Sequence, residues 1–428
     1  MPEPGLRLED PVPVTPAPGS GNGHGAPAES AERRLTTVFW DTGDLRLARW
    51  GGSLRHRSDE GWTLALPPLP GATPPPGDAS GELHFPGDGQ APPAAALDLL
   101  VAFSRGAELE AVARVRTRGA AFGLGPRSDA PADVVVAAVD GDASAGAVLQ
   151  AAVAGSVARL LLHDPRVRLA PDPEAVHQAR VATRRLRSDL RTFGALVDPG
   201  WTADLRERLS RLADLLGEVR DADIMSARLT VRAREVGLAG GRARGLSTRL
   251  SGQRRSARAR LLAAMRGEEY LALLQDLVAA AREPRLQPLA EAPAAEVMVP
   301  MAARTWSRLE KAVKRLGKAP SDTELHAVRI AAKRARYAVE VLVPVAGRRA
   351  RRMADAIGEL QTTLGEYNDA VVTVAWLRQA AEGVDAATAF IAGALTERER
   401  GTADARRGAW PAAWKKLSKK KLRGWLEP

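Results

Sequence analysis

The stretch HQARVATRRLRSDLRTF spans His177–Phe193, and HAVRIAAKRARYAVEVL spans His326–Leu342. Aligned on their histidines, they agree at five of 17 positions, including the His and three Arg. Further on, LGEVRDAD (Leu216–Asp223) matches LGEYNDAV (Leu364–Val371), 39 and 38 residues after the respective histidines. Two blocks in the same order at nearly the same spacing indicate an internal duplication. The expected fold is mainly α, with two pseudo-symmetric helical bundles.

Each repeated segment opens with a helix-start signal. Asp172-Pro173-Glu174 supplies an N-cap, a first-turn proline and a first-turn carboxylate, and Ser321-x-x-Glu324 reads as a capping box. At about 100° per residue, His177, Arg180, Arg184, Arg187 and Arg191 fall on one stripe. Ala182, Leu186, Leu190 and Phe193 lie opposite. The second helix carries His326, Arg329, Lys333, Arg336 and Glu340 on its stripe, with Ala331, Ala335, Val339 and Leu342 opposite. Like charges three or four residues apart cost a helix about 0.2–0.5 kcal/mol per pair. Nothing in the apolar face requires them. A stripe of about 21 Å, at ~1.5 Å per residue, suits an extended, repetitive anion better than a single phosphate. Arg offers planar multi-donor contacts to phosphate oxygens, and Lys333 a point charge. The competing arrangement pairs these cations with Glu218, Asp221, Glu366 and Asp369 of the second repeated block.

The charge of the 428-residue chain is uneven. Up to Ala143 there are 12 Arg, no Lys and 19 acidic residues; from Ser144 onward there are 50 basic and 32 acidic residues. A basic unit of this size seeks a polyanion. Eight Arg and no acid lie between Gly237 and Gly267, with Arg254, Arg255 and Arg258 sharing part of one face. Lys416, Lys419 and Lys420 stand in the tail WKKLSKKKLRGW. These are possible additional anion contacts. The absence of cysteine excludes disulfides, Cys-ligated zinc and thiol catalysis. Two histidines without Asp or His companions make a weak metal site, and no metal is expected. No cofactor is expected. No apolar run reads as long enough to cross a bilayer, and the first 30 residues hold no apolar signal core, so a cytoplasmic protein without membrane contact is expected.

Residues 1–30 read as a disordered leader rich in Pro, Gly and Ala. Residues 31–143 read as a small α+β unit: strands in TTVFWDT, LRLARWGGSLRHR, GWTLALP, Glu82–Phe85 and Ala111–Arg118, with a short helix over Pro92–Ser104. Residues 144–428 read as helical throughout, repeat one over about 144–283 and repeat two over about 294–428. Helix breaks are expected between Leu216 and Asp221, between Leu364 and Asp369, and after Arg398.

The motifs HQxRVATRRLR and HxxRIAAKRxRY, each followed by its LGE block, resemble the CHAD family, the helical domains named for their histidines. The resemblance covers about two-thirds of the chain. It implies two bundles of four-helix type, a basic cavity between them, binding of inorganic polyphosphate, and association with polyphosphate granules. The family's basic positions fall on His177, Arg180, Arg184, Arg185, Arg187, His326, Arg329, Lys333, Arg334 and Arg336. The N-terminal unit is similar to part of a CYTH triphosphatase, a truncated, partial β-barrel. It departs from that family severely: the opening ExExK signature is absent, and Ala65 stands where the LxLP strand carries Lys. Arg55, Arg57, Arg114, Arg116 and Arg118 keep the look of a phosphate site. The expectation is a polyphosphate-binding protein, not an enzyme. The alternatives are a metal-dependent triphosphatase in the N-terminal unit and non-specific nucleic-acid binding.

Overall fold

The structure, a computed structural model, describes residues 6–8, 34–71, 81–118, 126–169, 171–238 and 244–426. Most of the expected leader lies outside the described residues. Within it, β1 (Leu6–Leu8) is a short strand, too brief for alternation to reveal in sequence. The chain forms two compact units, one of residues up to Val135 with Leu161–Asp172, the other of Val136–Leu160 with Pro173–Pro428.

The first unit contains β2 (Arg34–Asp41), α1 (Arg46–Arg49), β3 (Ser53–Arg57), β4 (Gly61–Ala65), β5 (Glu82–Phe85), α2 (Ala94–Ser104), β6 (Glu110–Arg118) and β7 (Pro126–Ser128). Five strands form an antiparallel sheet in the order β5-β4-β3-β2-β6, and β1 pairs with β7. Alternation buries Leu54, Trp62 and Leu64 against Leu99, Leu100 and Phe103 of α2. Where strand was expected at LRLAR, a helical turn forms instead. The buried Asp41 carboxylate accepts from the Leu47 and Ala48 amides, both at 2.9 Å, and this side-chain anchor outweighs the apolar pattern. Register separates the arginines that looked like one phosphate site. Arg55 and Arg57 sit opposite Phe39 and Thr37, whereas Arg114 and Arg116 sit opposite Val38 and Thr36. Neighbouring residues of β2 point to opposite faces, so the two arginine pairs do as well. Arg55 is paired with Glu82 at 3.0 Å.

The second unit is helical. It comprises α3 (Ala145–Arg168, through Leu160), α4 (Pro173–Thr192), α5 (Pro199–Glu235), α6 (Arg244–Met265), α7 (Glu268–Arg282), α8 (Ala294–Lys314), α9 (Asp322–Val341), the short α10 (Val343–Ala346), α11 (Arg348–Ala380), α12 (Ala386–Leu417) and α13 (Lys420–Arg423). The capping box forms at Ser321, and Asp198 caps α5 by accepting from the Trp201 amide at 2.7 Å. The faces predicted to be apolar are buried, with Ala182, Leu186, Leu190, Ala335 and Val339 inside. Ala331 is only half-buried.

The expected breaks inside α5, α11 and α12 are absent. LGEVRDAD and LGEYNDAV lie within continuous helices, and α12 runs through Pro411. Gly217 falls inside the first expected break. It is a buried helical position where an added Cβ would lie 3.5 Å from the Arg180 guanidinium. The reading that no stretch is long and apolar enough to cross a bilayer also needs correction. By length and composition α3 is long and apolar enough to cross a bilayer, with a mean hydropathy of 1.6. Ser156, Arg159 and Asp164 interrupt its apolar run, so no unbroken apolar stretch marks it in the sequence. Burial of 61% of its apolar window inside the structure accounts for the composition.

A reciprocal backbone bridge marks the pseudo-two-fold. Ser144 pairs with Pro293; the Ala145 amide donates to the Ala292 carbonyl at 2.9 Å, and the Ala294 amide to the Ala143 carbonyl at 3.0 Å. The displacement from 144 to 293 is 149 residues, the same as from His177 to His326. The buried ridge of α5 (Thr202, Leu205, Leu209, Leu212, Leu216) recurs on α11 as Ala350, Met353, Ile357, Leu360 and Leu364, displaced by 148. At the far ends of the long helices, Met225, Leu229, Leu246 and Leu250 pack with Leu377, Ile391 and Leu395. The α5/α6 and α11/α12 hairpins are thereby joined at their tips. At the other end, α4 packs against α9.

Candidate anion-binding cleft

The crossing of α4 and α9 brings the two stripes together. A cleft of about 880 Å³ is lined by Arg184, Arg187 and Arg191 of α4 and by His326, Arg329, Lys333 and Arg334 of α9. Sequence reasoning missed three further cations of this lining: Arg206 on α5 and Arg304 and Arg308 on α8. The spacing of Arg304 and Arg308, one helical turn apart, was the available signal. Glu207 is the one acid among the lining residues, and Tyr337 the one aromatic.

Burial and mutual repulsion act on the same groups. Burial pushes the Lys333 ammonium down to about 6; Arg184, Arg329 and Arg180 push the same way, and Asp369 opposes them. Arg334 is lowered by burial and by Arg191, Arg308 and Arg187. Arg206 is lowered by burial, Arg191 and Arg187. Held this close with few counter-charges, the guanidinium groups form a preorganised receptor for negative charge.

The acids of the second repeated block take up only part of the stripe. Asp221 pairs with Arg180 at 3.3 Å, and Asp369 acts on Arg329. Glu218 and Glu366 turn outward to Arg260 and Arg406. The two histidines differ. His177 is lowered by burial and by nearby Arg220, which favours its neutral form. His326 Nδ1 lies 2.8 Å from the Asn368 amide oxygen, an acceptor that holds the Nδ1 proton.

The other sequence-derived positions do not line this cleft. His177 and Arg180 lie farther along α4. Arg185 and Arg336 both bind Glu340, Arg336 at 2.7 Å. Arg185 also stacks over Tyr337, 5.4 Å from the ring centre. On α6, Arg254 is paired with Asp223 at 2.5 Å, Arg255 is exposed, and Arg258 is lowered by burial and by Arg254 and Arg266. In the tail, Lys416 binds Glu359 at 2.6 Å, while Lys419 and Lys420 are exposed. Among the described residues, no group of three or more His, Asp or Glu could hold a metal ion.

Comparison with known proteins fits this arrangement. The CHAD domain family matches residues 151–378. The uncharacterized protein Rv2226 of Mycobacterium tuberculosis H37Rv is 29% identical, with 91% of each chain covered. The uncharacterized protein MT2285 of the CDC 1551 strain matches at the same identity and coverage. Among solved structures, PptA from Streptomyces chartreusis has a TM-score of 0.54 and 25% identity, covering 64% of this chain and 100% of that one. The CHAD domain from the plant Ricinus communis has a TM-score of 0.50 and 24% identity, covering 70% and 96%. With its duplicated histidine helices, its matching fold and a family match over more than half its length, the chain belongs to the CHAD family.

Proposed function

We propose that the protein binds inorganic polyphosphate in the cleft between the repeats and does no chemistry on it. The observation that carries this reading is the cleft's composition: nine Arg and Lys residues and one Glu among its lining. Arg184, Arg187, Arg191, Arg329 and Arg334 give charge-assisted contacts to phosphate oxygens, and Arg206, Arg304 and Arg308 extend the charged lining onto neighbouring helices. Lys333 supplies a point charge at the centre. Membership of a family associated with polyphosphate supports the choice of polyanion, and association with polyphosphate granules is the cellular role this reading implies. Nucleic acid is a poorer fit, because single strands need aromatic platforms and Tyr337 stands alone.

Each charge-assisted hydrogen bond is worth about 1.5–3 kcal/mol, roughly ten- to a hundredfold in affinity. Arg184→Glu with Lys333→Glu should therefore abolish binding of long-chain polyphosphate to the full chain. Arg336→Glu, outside the cleft, should have a much smaller effect. The assay is a filter or calorimetric titration with RNA as competitor. Unchanged affinity in a folded double variant, or displacement of polyphosphate by RNA at equal phosphate concentration, overturns the reading.

A further inference from the structure

The duplication predicts a second cleft. The displacement of 149 relates α8 and α9, which line the first, to α3 and α4. A smaller cleft of about 420 Å³ lies at that related position. Its lining includes Ala152, Gly155, Ser156, Arg159 and Arg185. These stand 149 residues before Met301, Arg304, Thr305, Arg308 and Arg334, all of which line the larger cleft. From the other helix, Glu340 and Val341 occupy the places of Arg191 and Thr192. Seven equivalent positions make the two clefts symmetry mates.

The mates differ in charge at two of these positions. Gly155 replaces Arg304, and a Cβ at Gly155 would sit 3.9 Å from Val136, which also lines the smaller cleft. Glu340 replaces Arg191. This carboxylate accepts from Arg185 on α4 and from Arg336 on its own helix, so two cations that match Arg334 and Arg187 of the larger cleft are turned onto an internal acid. The buried Asp189 adds a second carboxyl to the lining, with its Oδ1 unpartnered.

Building on the polyphosphate reading, we infer that Glu340 closes the second cleft to polyanions, so that the duplicated protein engages a phosphate chain on one side only. The acid does this in two ways: it neutralises Arg185 and Arg336, and it repels phosphate at the position where repeat one carries a cation. Arg159, held at 3.2 Å from the Gln178 amide oxygen, remains as a vestige of the ancestral site.

The test is calorimetric titration of the full chain with inorganic triphosphate, a probe short enough to report each cleft separately. Wild type is expected to bind one equivalent. Glu340→Arg, which restores the charge found at residue 191, is expected to bind two, with the second site weakened by added salt. Glu340→Gln removes the charge with little change of shape and guards against a misfolded Arg variant. It should gain a second, weaker site. Two equivalents in wild type, or one equivalent in both folded variants, would overturn the inference while leaving the main cleft intact. No binding by wild type would instead remove the polyanion reading on which it rests.

Discussion

Lys333 is the residue whose ionisation the cleft controls most directly. With its free value pushed down to about 6, it is largely neutral at pH 8. A bound polyanion favours the charged form, so binding takes up a proton and affinity should rise as pH falls from 8 to 6. The uptake appears as a dependence of the binding heat on buffer ionisation enthalpy, and Lys333→Arg should remove most of it. Folding carries the opposite linkage. The lysine is depressed in the folded state, so its contribution to stability is lost as pH falls from its ordinary value toward about 6. Asp189 is the reverse case: burial raises it to about 8, and its contribution is lost as pH rises from its ordinary value to about 8. Between these two values the effects oppose each other. Wild type should therefore change less with pH there than either single variant, with His177, lowered by burial, adding to the lysine's side at the acid end. Asp189→Asn should become more stable with rising pH, by at most about 1.4 kcal/mol per unit. Urea denaturation at pH 6, 7 and 8 checks both. At this scale much of the cleft was legible in sequence, because Arg184, Arg187, Arg191, Arg329 and Lys333 fall on the two helical stripes, while Arg334 came only from the family resemblance. Arg206 and Arg304 were not, because Ala354 and Gly155 stand at the matching positions of the other copy, and Arg308, although it matches Arg159, lies outside the duplicated histidine segments.

Among the elements, α4 and α9 were read with their caps and apolar faces, while α5 and α11 were each read as two helices. Local propensity explains the error. Glycine costs about 1 kcal/mol in a helix interior, and LGE followed by Asp221 in one copy and Asn368-Asp369 in the other looks like a turn. What holds each helix intact is tertiary: the packed ridge on α4 or α9 at one end and the shared cluster at the tips. Truncating that cluster should show its contribution. Leu229→Ala is expected to cost about 2–3 kcal/mol, measured by urea denaturation. Hydrogen exchange should accelerate in the outer thirds of α5, α6, α11 and α12 and not near the cleft. Ser321→Ala removes the cap of α9 and should cost about 1 kcal/mol.

For the whole molecule, the uneven charge sets the terms. Residues from Ser144 onward carry a large cationic excess, and a polyanion that neutralises several of these charges releases counterions. Affinity should fall steeply and linearly in a log–log plot against salt. Because the bound chain also relieves repulsion among Arg187, Arg191, Arg308 and Arg334, the melting temperature should rise with polyphosphate concentration. The change from mixed elements to helices was visible in periodicity, but not that Leu161–Asp172 of the helical stretch group with the first unit. The sheet order was not visible, because β2 also pairs with β6, a strand distant in sequence.

The change in displacement between the repeats, from 149 up to the histidine helices to 148 along α5 and α11, has a practical consequence. One residue was gained or lost where α4 turns into α5 and α9 into α11, while the net spacing from the Ser144–Pro293 bridge to the histidines is the same in both copies. Descent has thus tried an edit at that corner and kept it. Gly347, exposed and with a φ of 59°, sits at the corner in the second copy and is a natural graft point. A fluorophore-bearing loop spliced in there should report on the neighbouring helices without disturbing them.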